Sequence, residues 1–339
     1  MKFIKYLLII IFFAAALDTD AQQTSKSGTT AAQFLKIGIG ARAVGMGSAF
    51  AATANDITSI YWNPAGLTYN KSNEALFNHT NWIADVGVDF AAFASYLEGF
   101  GTVGVSFTSI NAIDGMIVRT VEQPEGTGER FDAGGFSIGL SFARQLTENF
   151  SMGFNVKYIR ESIWHESATG FAIDAGALYK IDVLNELRLG ASISNFGSKM
   201  KMDGRDIQEI KQVGSTGTGN LIDTKVILEE WDIPLTFRVG VAADVLKMED
   251  HKITLGMDAV HPNDHTEYVN TGFEYGWNEI VFIRAGYASL FEEKTEKGLT
   301  LGVGLNYRIV NSVKVIFDYA YQDLGRLENV HYFDIGVNF

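Results

Sequence analysis

The chain has 339 residues and a mean hydropathy of +0.06, which excludes a bundle of membrane helices, since these need repeated apolar runs of about 20 residues. Its formal net charge of −13 makes it a poor nucleic-acid binder, and the absence of cysteine excludes disulfides, thiol catalysis and lipid attachment through a cysteine. Abundant glycine (35 residues), 12% aromatics and only 4 prolines suit one large barrel of uninterrupted strands better than two soluble domains.

In chain order, the first element carries Lys2 and Lys5, then an apolar block from Tyr6 to Leu17, then the polar run DTDAQQ. This predicts a secretory signal peptide over residues 1–22, cut near Ala21 or Gln22, because the apolar block is short for a bilayer of about 30 Å. Residues 23–70 follow with neither helical periodicity nor strand alternation. They are nonetheless too apolar to trail in water: Phe34, Leu35, Ile37, Met46, Phe50, Ile60, Tyr61 and Trp62 need cover. The expected cover is the lumen or mouth of a barrel, with Gly38, Gly40, Gly45 and Gly47 letting the backbone pass close to the wall.

From residue 71 to 339 one pattern repeats: apolar and polar or tiny residues alternate for about ten positions, then a turn intervenes. Phe333, Ile335, Val337 and Phe339 share one face, against Tyr332, Asp334, Gly336 and Asn338. Leu299, Leu301, Val303, Leu305, Tyr307 and Ile309 likewise oppose Thr300, Gly302, Gly304, Asn306 and Arg308. Further upstream, Phe237, Val239, Val241 and Val245 oppose Arg238, Gly240 and Asp244. Alternation alone also fits a soluble sandwich. The signal peptide, strands near the 9 to 11 residues that cross a bilayer, and strand-end aromatics such as Tyr307 and Tyr321 decide for an all-β transmembrane antiparallel barrel of about 14 strands. Short links are expected near Glu98, Thr147, Asp182, Met248, Gly276 and Asn311. Long ones are expected near Ala84, 111–131, 162–169, 197–232, His261, 289–297 and 322–330. The link at 197–232, the least regular, is the first candidate for contact with a partner. On the inward face this reading places Lys157, Asp174, Arg188, Arg238, Asp244, Lys252, Asp258, Arg284, Arg308, Asp318 and Asp334. Their mixed signs point to ion pairs that grip the plug or bridge strands, where an ion-selective pore would use a ring of one sign.

The stretch FLKIGIGARAVGMGSAFAATANDITSIYWNPAGL resembles the N-terminal signature of the PorV/PorQ family of Bacteroidetes-type outer-membrane proteins, a family related to the FadL fatty-acid transporters. The likeness continues at TGFEYGWNEIVFIRAGY (271–287) and FDYAYQDLGRLENVHYFDIGVNF (317–339). It implies a fourteen-stranded barrel plugged by a hatch, with Asn63, Pro64 and Ala65 matching the hatch's Asn-Pro-Ala element. It also implies that Phe339 serves as the signal presented to the barrel-assembly machinery.

Other chemistry finds little support. GIGARA from Gly38 to Ala43 fits a relaxed dinucleotide fingerprint but lacks the surrounding βαβ unit. His261 and His265 are spaced for a metal on a helix, yet Pro262 and Asn263 make that stretch a loop. His, Ser and acidic residues are too scattered to nominate a catalytic triad. The expectation is no catalytic residues, no cofactor and no metal, in a protein integral to the outer membrane and surrounded by its lipid. Two functions follow from the resemblance. One is an interaction partner in type IX protein secretion and cell-surface attachment, engaging secreted cargo or translocon components. The other is a FadL-like transporter of hydrophobic small molecules such as long-chain fatty acids.

Overall fold

The computed structural model describes residues 26, 28–183, 185–213, 220–292, 295–310 and 313–339. The expected signal peptide over 1–22 and its cut lie outside the described residues, as does the link at Asn311.

Among the described residues, fourteen antiparallel wall strands close into a barrel. They are β1 (Glu74–Asn81), β2 (Gly87–Leu97), β3 (Gly101–Ile117), β4 (Arg130–Gln145), β5 (Phe150–Ile163), β6 (Glu166–Ile181) and β7 (Leu187–Gly197). After an excursion that holds the short β8 (Asp203–Gly204) and the hairpin β9 (Gln208–Val213) with β10 (Asn220–Lys225), the wall resumes. It continues with β11 (Thr236–Lys247), β12 (His251–Pro262), β13 (Tyr268–Trp277), β14 (Val281–Leu290), β15 (Leu299–Val310), β16 (Val313–Asp323) and β17 (Asn329–Asn338). β11 pairs directly with β7, Thr236 opposite Ser194, so the excursion leaves no gap. β17 pairs with β1 from Glu74↔Asn338 to Asn81↔His331, which joins the two ends of the wall. Every wall strand therefore has two neighbours, the condition for a sheet to stand in hydrocarbon.

The two faces separate as the alternation requires. On β15, Leu299, Leu301, Val303 and Leu305 are exposed while Thr300, Gly302 and Gly304 are buried. On β17, Phe333 and Ile335 are exposed, against buried Tyr332, Asp334 and Gly336. An exposed apolar belt around a buried polar face is the reverse of a soluble sandwich, and it is stable only against lipid.

The links differ from expectation in four places, the first being 111–131, where β3 runs on to Ile117 and β4 begins at Arg130, so that only 118–129 form the link. At 162–169 there is no long loop: β5 runs to Ile163, β6 begins at Glu166, and only Trp164 and His165 turn between them. Strands β3 to β6, of 17, 16, 14 and 16 residues, exceed the bilayer requirement, so they continue beyond it as a projecting sheet. The turn placed at Gly276 begins after Trp277. Within 197–232 a two-stranded hairpin forms, separate from the wall sheet. Short connections such as 98–100, 146–149, 248–250 and 278–280 mark the periplasmic rim, and the long ones mark the cell-surface rim.

Replacing Val303, outward on β15, by arginine is expected to lower unfolding free energy by about 2–4 kcal/mol in lipid vesicles, whereas Arg308→Ala, at the rim end of the same strand, should change it by less than about 1 kcal/mol. Urea titration followed by heat-modifiable gel mobility checks both.

Candidate functional site: the plugged lumen and its mouth

The interior is filled by the N-terminal segment. It starts at the cell-surface rim, where Thr30 forms a parallel bridge with Asp232 and the Ala32 N–H donates to Glu161 Oε2 at 2.9 Å. It ends at the periplasmic rim, where Asn73 and Phe339 exchange backbone hydrogen bonds, each at 2.9 Å. In between it makes short helical turns at Ala41–Gly45 and Ser59–Trp62, too irregular to satisfy its own backbone.

The wall supplies the missing partners. Asp334 Oδ2 accepts from the Ala41 N–H at 2.7 Å, Asp258 Oδ2 from Ala51 at 2.7 Å, and Thr300 Oγ1 from Gly47 at 2.9 Å. Inward side-chain oxygens of the wall thus act as acceptors for buried amides of the plug. Asn63 works in the other direction: its Nδ2 donates to Ala51 O at 2.7 Å and to Ala177 O of β6 at 3.1 Å. Its Oδ1 accepts from the Ala65 N–H at 3.2 Å, capping a 3-10 turn over Pro64–Tyr69 that has proline at its first position. The Asn-Pro-Ala element is therefore a capped turn pinned to the wall. It sits so close that a Cβ at Gly176 would collide with Asn63 Oδ1.

The four plug glycines divide into two pairs. Gly45 faces Gly302 backbone, and Gly47, at φ +65°, faces Thr271 O and Tyr287 N, so these two lie against the wall. Gly38 and Gly40 instead face Val44, Trp62 and Thr58 within the plug itself. GIGARA belongs to this lumenal track, with no strand before it among the described residues.

One buried ionic chain holds plug to wall. Arg42 donates from Nε and Nη2 to the two oxygens of Glu274, both at 2.8 Å, and from Nη1 to Asp56 at 2.9 Å. Glu274 also accepts from Arg284 Nε at 2.7 Å, and Arg284 Nη1 reaches Asp318 at 2.5 Å. The other inward charges mostly bridge strands: Lys157 pairs with Asp174 at 2.8 Å, Arg188 with Asp244 at 2.8 Å, and Lys252 with Asp244 at 3.1 Å. Arg308 is exposed. Sequence reasoning missed Arg42, Asp56 and Glu274. Phe50, Ile57 and Ile60 fill the remaining space, so the middle of the lumen is a packed core and not a wet channel.

At the cell-surface rim Asp264 clasps the plug. It accepts from Lys36 Nζ at 2.9 Å, Thr30 Oγ1 at 2.9 Å and Gln33 Nε2 at 3.2 Å. Burial alone would raise this carboxyl, but the hydrogen bonds from Lys36 and Gln33 and the Lys36 charge outweigh it and hold the group below its ordinary value. His261 faces Glu267 and His265 faces Glu292, each at 2.8 Å. Above the plug lies a pocket of about 470 Å³, lined by residues including Phe34, Trp82, Ile110 and Leu324.

A family model described as type IX secretion system protein PorV matches residues 20–261. No curated protein sequence matches the chain. Among solved structures, the CymD monoaromatic hydrocarbon channel aligns with TM-score 0.56 and 13% identity, covering 89% of this chain and 97% of that one. The Pseudomonas putida toluene transporter TodX gives 0.55 and 12%, with coverage of 89% and 97%. A Pseudomonas aeruginosa FadL homologue gives 0.53 and 12%, with coverage of 87% and 97%. At such identities the likeness establishes a shared fold.

Arg42→Met leaves Asp56 without its cationic partner and Glu274 with Arg284 alone, and should lower unfolding free energy by about 3–5 kcal/mol in urea titration. Because the Asp264 carboxyl titrates below its usual 3.8, its stabilisation is present above that value and lost as pH falls through the depressed one. The protection factors for hydrogen exchange at residues 30–36, corrected for intrinsic exchange at each pH, should therefore stay constant down to about pH 4 and fall below it.

Proposed function

The chain belongs to the PorV family of type IX secretion system proteins, and on that premise we propose that it is a non-catalytic partner in type IX secretion, engaging secreted cargo or translocon components at the cell surface. It is an integral outer-membrane barrel of the PorV type. The observation that carries the proposal is the family match, which spans the plug and most of the wall. The locked lumen supports it: with the plug pinned by the Arg42–Glu274–Arg284 chain, the surfaces free to meet a protein are the long connections. The β9–β10 hairpin presents Ile210, Leu221 and Ile222 to solvent, and Ile227 and Trp231 follow it, an apolar set with no partner on the wall sheet among the described residues.

A second reading has its own support. The fold is shared with proteins described as a monoaromatic hydrocarbon channel and a toluene transporter, and an apolar-walled pocket lies at the mouth. Passage of a hydrophobic solute would require the plug to leave its ionic anchors.

Affinity purification of the tagged protein from native membranes tests the first reading. The full chain should recover secreted proteins with β-sandwich C-terminal domains, and a variant with residues 208–225 replaced by a short Gly-Ser link should lose most of that recovery. Recovery of barrel-assembly factors alone would overturn it.

A further inference from the structure

At the periplasmic end of the lumen, where the plug leaves the barrel, lies a second cavity, of about 480 Å³, within the size range of small-ligand pockets. It sits between two periplasmic turns, 98–100 and 146–149, beside the departing plug residues Thr68 and Lys71. Its inner wall is built by strands in fixed register: Tyr96 on β2 stands opposite Thr102 on β3, which stands opposite Ala143 on β4. The turn that carries Phe100 is held tightly against β4. A Cβ at Gly101, whose φ is +135°, would collide with Ala143 O, and the Phe100 and Phe142 ring centres are 5.0 Å apart. The other turn is tied by Gln145 Nε2, which donates to Glu148 O at 2.9 Å. The cavity is therefore shaped before any ligand enters it.

Thr102 is 1% exposed, and its Oγ1 has no hydrogen-bond partner among the described residues. Buried hydroxyls are ordinarily matched, so this atom marks the cavity as a place for a polar ligand group. Lys71, Arg144 and Glu148, all exposed, stand around the mouth. Among the described residues none of the three is ion-paired, whereas elsewhere on the periplasmic rim Lys180 pairs with Glu186 at 3.5 Å. One unpaired charge at a rim is ordinary, because water solvates it. Two cations and one carboxylate gathered around a preformed cavity are a different matter, given Tyr96 and Phe100 as aromatic faces and Thr102 and Gln145 as hydrogen-bond formers. Together they suit a compact ligand that bears both signs of charge with carboxylates in excess. Strands β2 to β4 are paired on both sides, so no backbone edge is offered to an extended polypeptide. In the periplasm the stem peptides of peptidoglycan carry this chemistry. They are short and rich in free carboxylates, hold a free ammonium at diaminopimelate, and are joined to amino sugars whose apolar faces stack on aromatic rings.

We propose that this periplasmic cavity binds a peptidoglycan stem peptide, its carboxylates on Lys71 and Arg144, its ammonium on Glu148 and a backbone polar group on Thr102, so that the barrel is tethered to the cell wall. The site lies at the end of the lumen away from the surface connections and holds whether or not the chain serves secretion.

Isothermal titration of the tripeptide L-Ala-γ-D-Glu-meso-diaminopimelate into the mature protein in phosphatidylcholine nanodiscs, with empty discs subtracted, tests it. The tripeptide should bind saturably, one per chain, and about tenfold or more tightly than tri-L-alanine or its own carboxylate-amidated form. Lys71→Gln and Arg144→Gln should each weaken it about threefold, and the double variant about tenfold. Thr102→Val should weaken it about threefold, whereas Thr102→Ser, which keeps the hydroxyl, should bind as the unaltered chain does. Purified diaminopimelate-type sacculi should sediment the detergent-solubilised protein and leave most of the double variant in solution. Heat-modifiable gel mobility verifies that the variants are folded, and the double variant, altered at exposed positions, serves if Thr102→Val does not fold. Equal binding of tri-L-alanine would make the cavity a receptor for polypeptide ends and overturn the proposal. No binding above empty discs, or unchanged binding in the folded double variant, would overturn it as well.

Discussion

Hydrocarbon offers no hydrogen-bond partner, so each backbone amide and carbonyl at membrane depth must find one inside the protein. The wall meets this constraint by closing on itself, and the seam between β1 and β17 completes it. The same constraint governs the plug. Its backbone is neither sheet nor long helix, and it is tolerated at that depth because the wall turns Asp258, Thr300 and Asp334 inward to receive its amides while Asn63 returns donors to Ala51 and Ala177. Polar residues on the inner face are there chiefly to satisfy a second polypeptide track.

That arrangement sets what the molecule does. An open channel needs an inner face that prefers water, but here the inner charges are spent on neighbours: Arg42 with Glu274 and Asp56, Arg188 with Asp244, Lys157 with Asp174. Buried pairs of this kind add little net stability, yet removing one member strands the other, so they fix geometry more than they lower energy. The plug is consequently held in one register over the full height of the barrel, from Thr30 beside Asp232 to Asn73 beside Phe339. Chemistry left over from this locking includes, at the cell-surface end, the hairpin with its exposed Ile210 and Leu221.

Much of the wall is legible from local pattern. A period of two fixes which side chains share a face whatever the rest of the chain does, so the outward set Leu299 to Leu305 and the inward set Thr300 to Gly304 follow from the sequence, together with the strand number. The tight Trp164–His165 turn is not legible in this way, because alternation weakens where β5 and β6 leave the bilayer and both faces meet water. The hairpin within 197–232 is hidden for the same reason.

The sequence by itself thus determined the barrel, its faces and the need to cover Phe50, Ile60 and Trp62, because these depend on neighbours a few residues apart. Only the tertiary structure decided who meets whom inside. Arg42 and Glu274 are 232 residues apart and Ala51 and Asp258 are 207 apart, and nothing local marks them as partners. Their pairing depends on the path of the plug around the closed wall, which exists only once every strand is in register and the space for the plug has a shape.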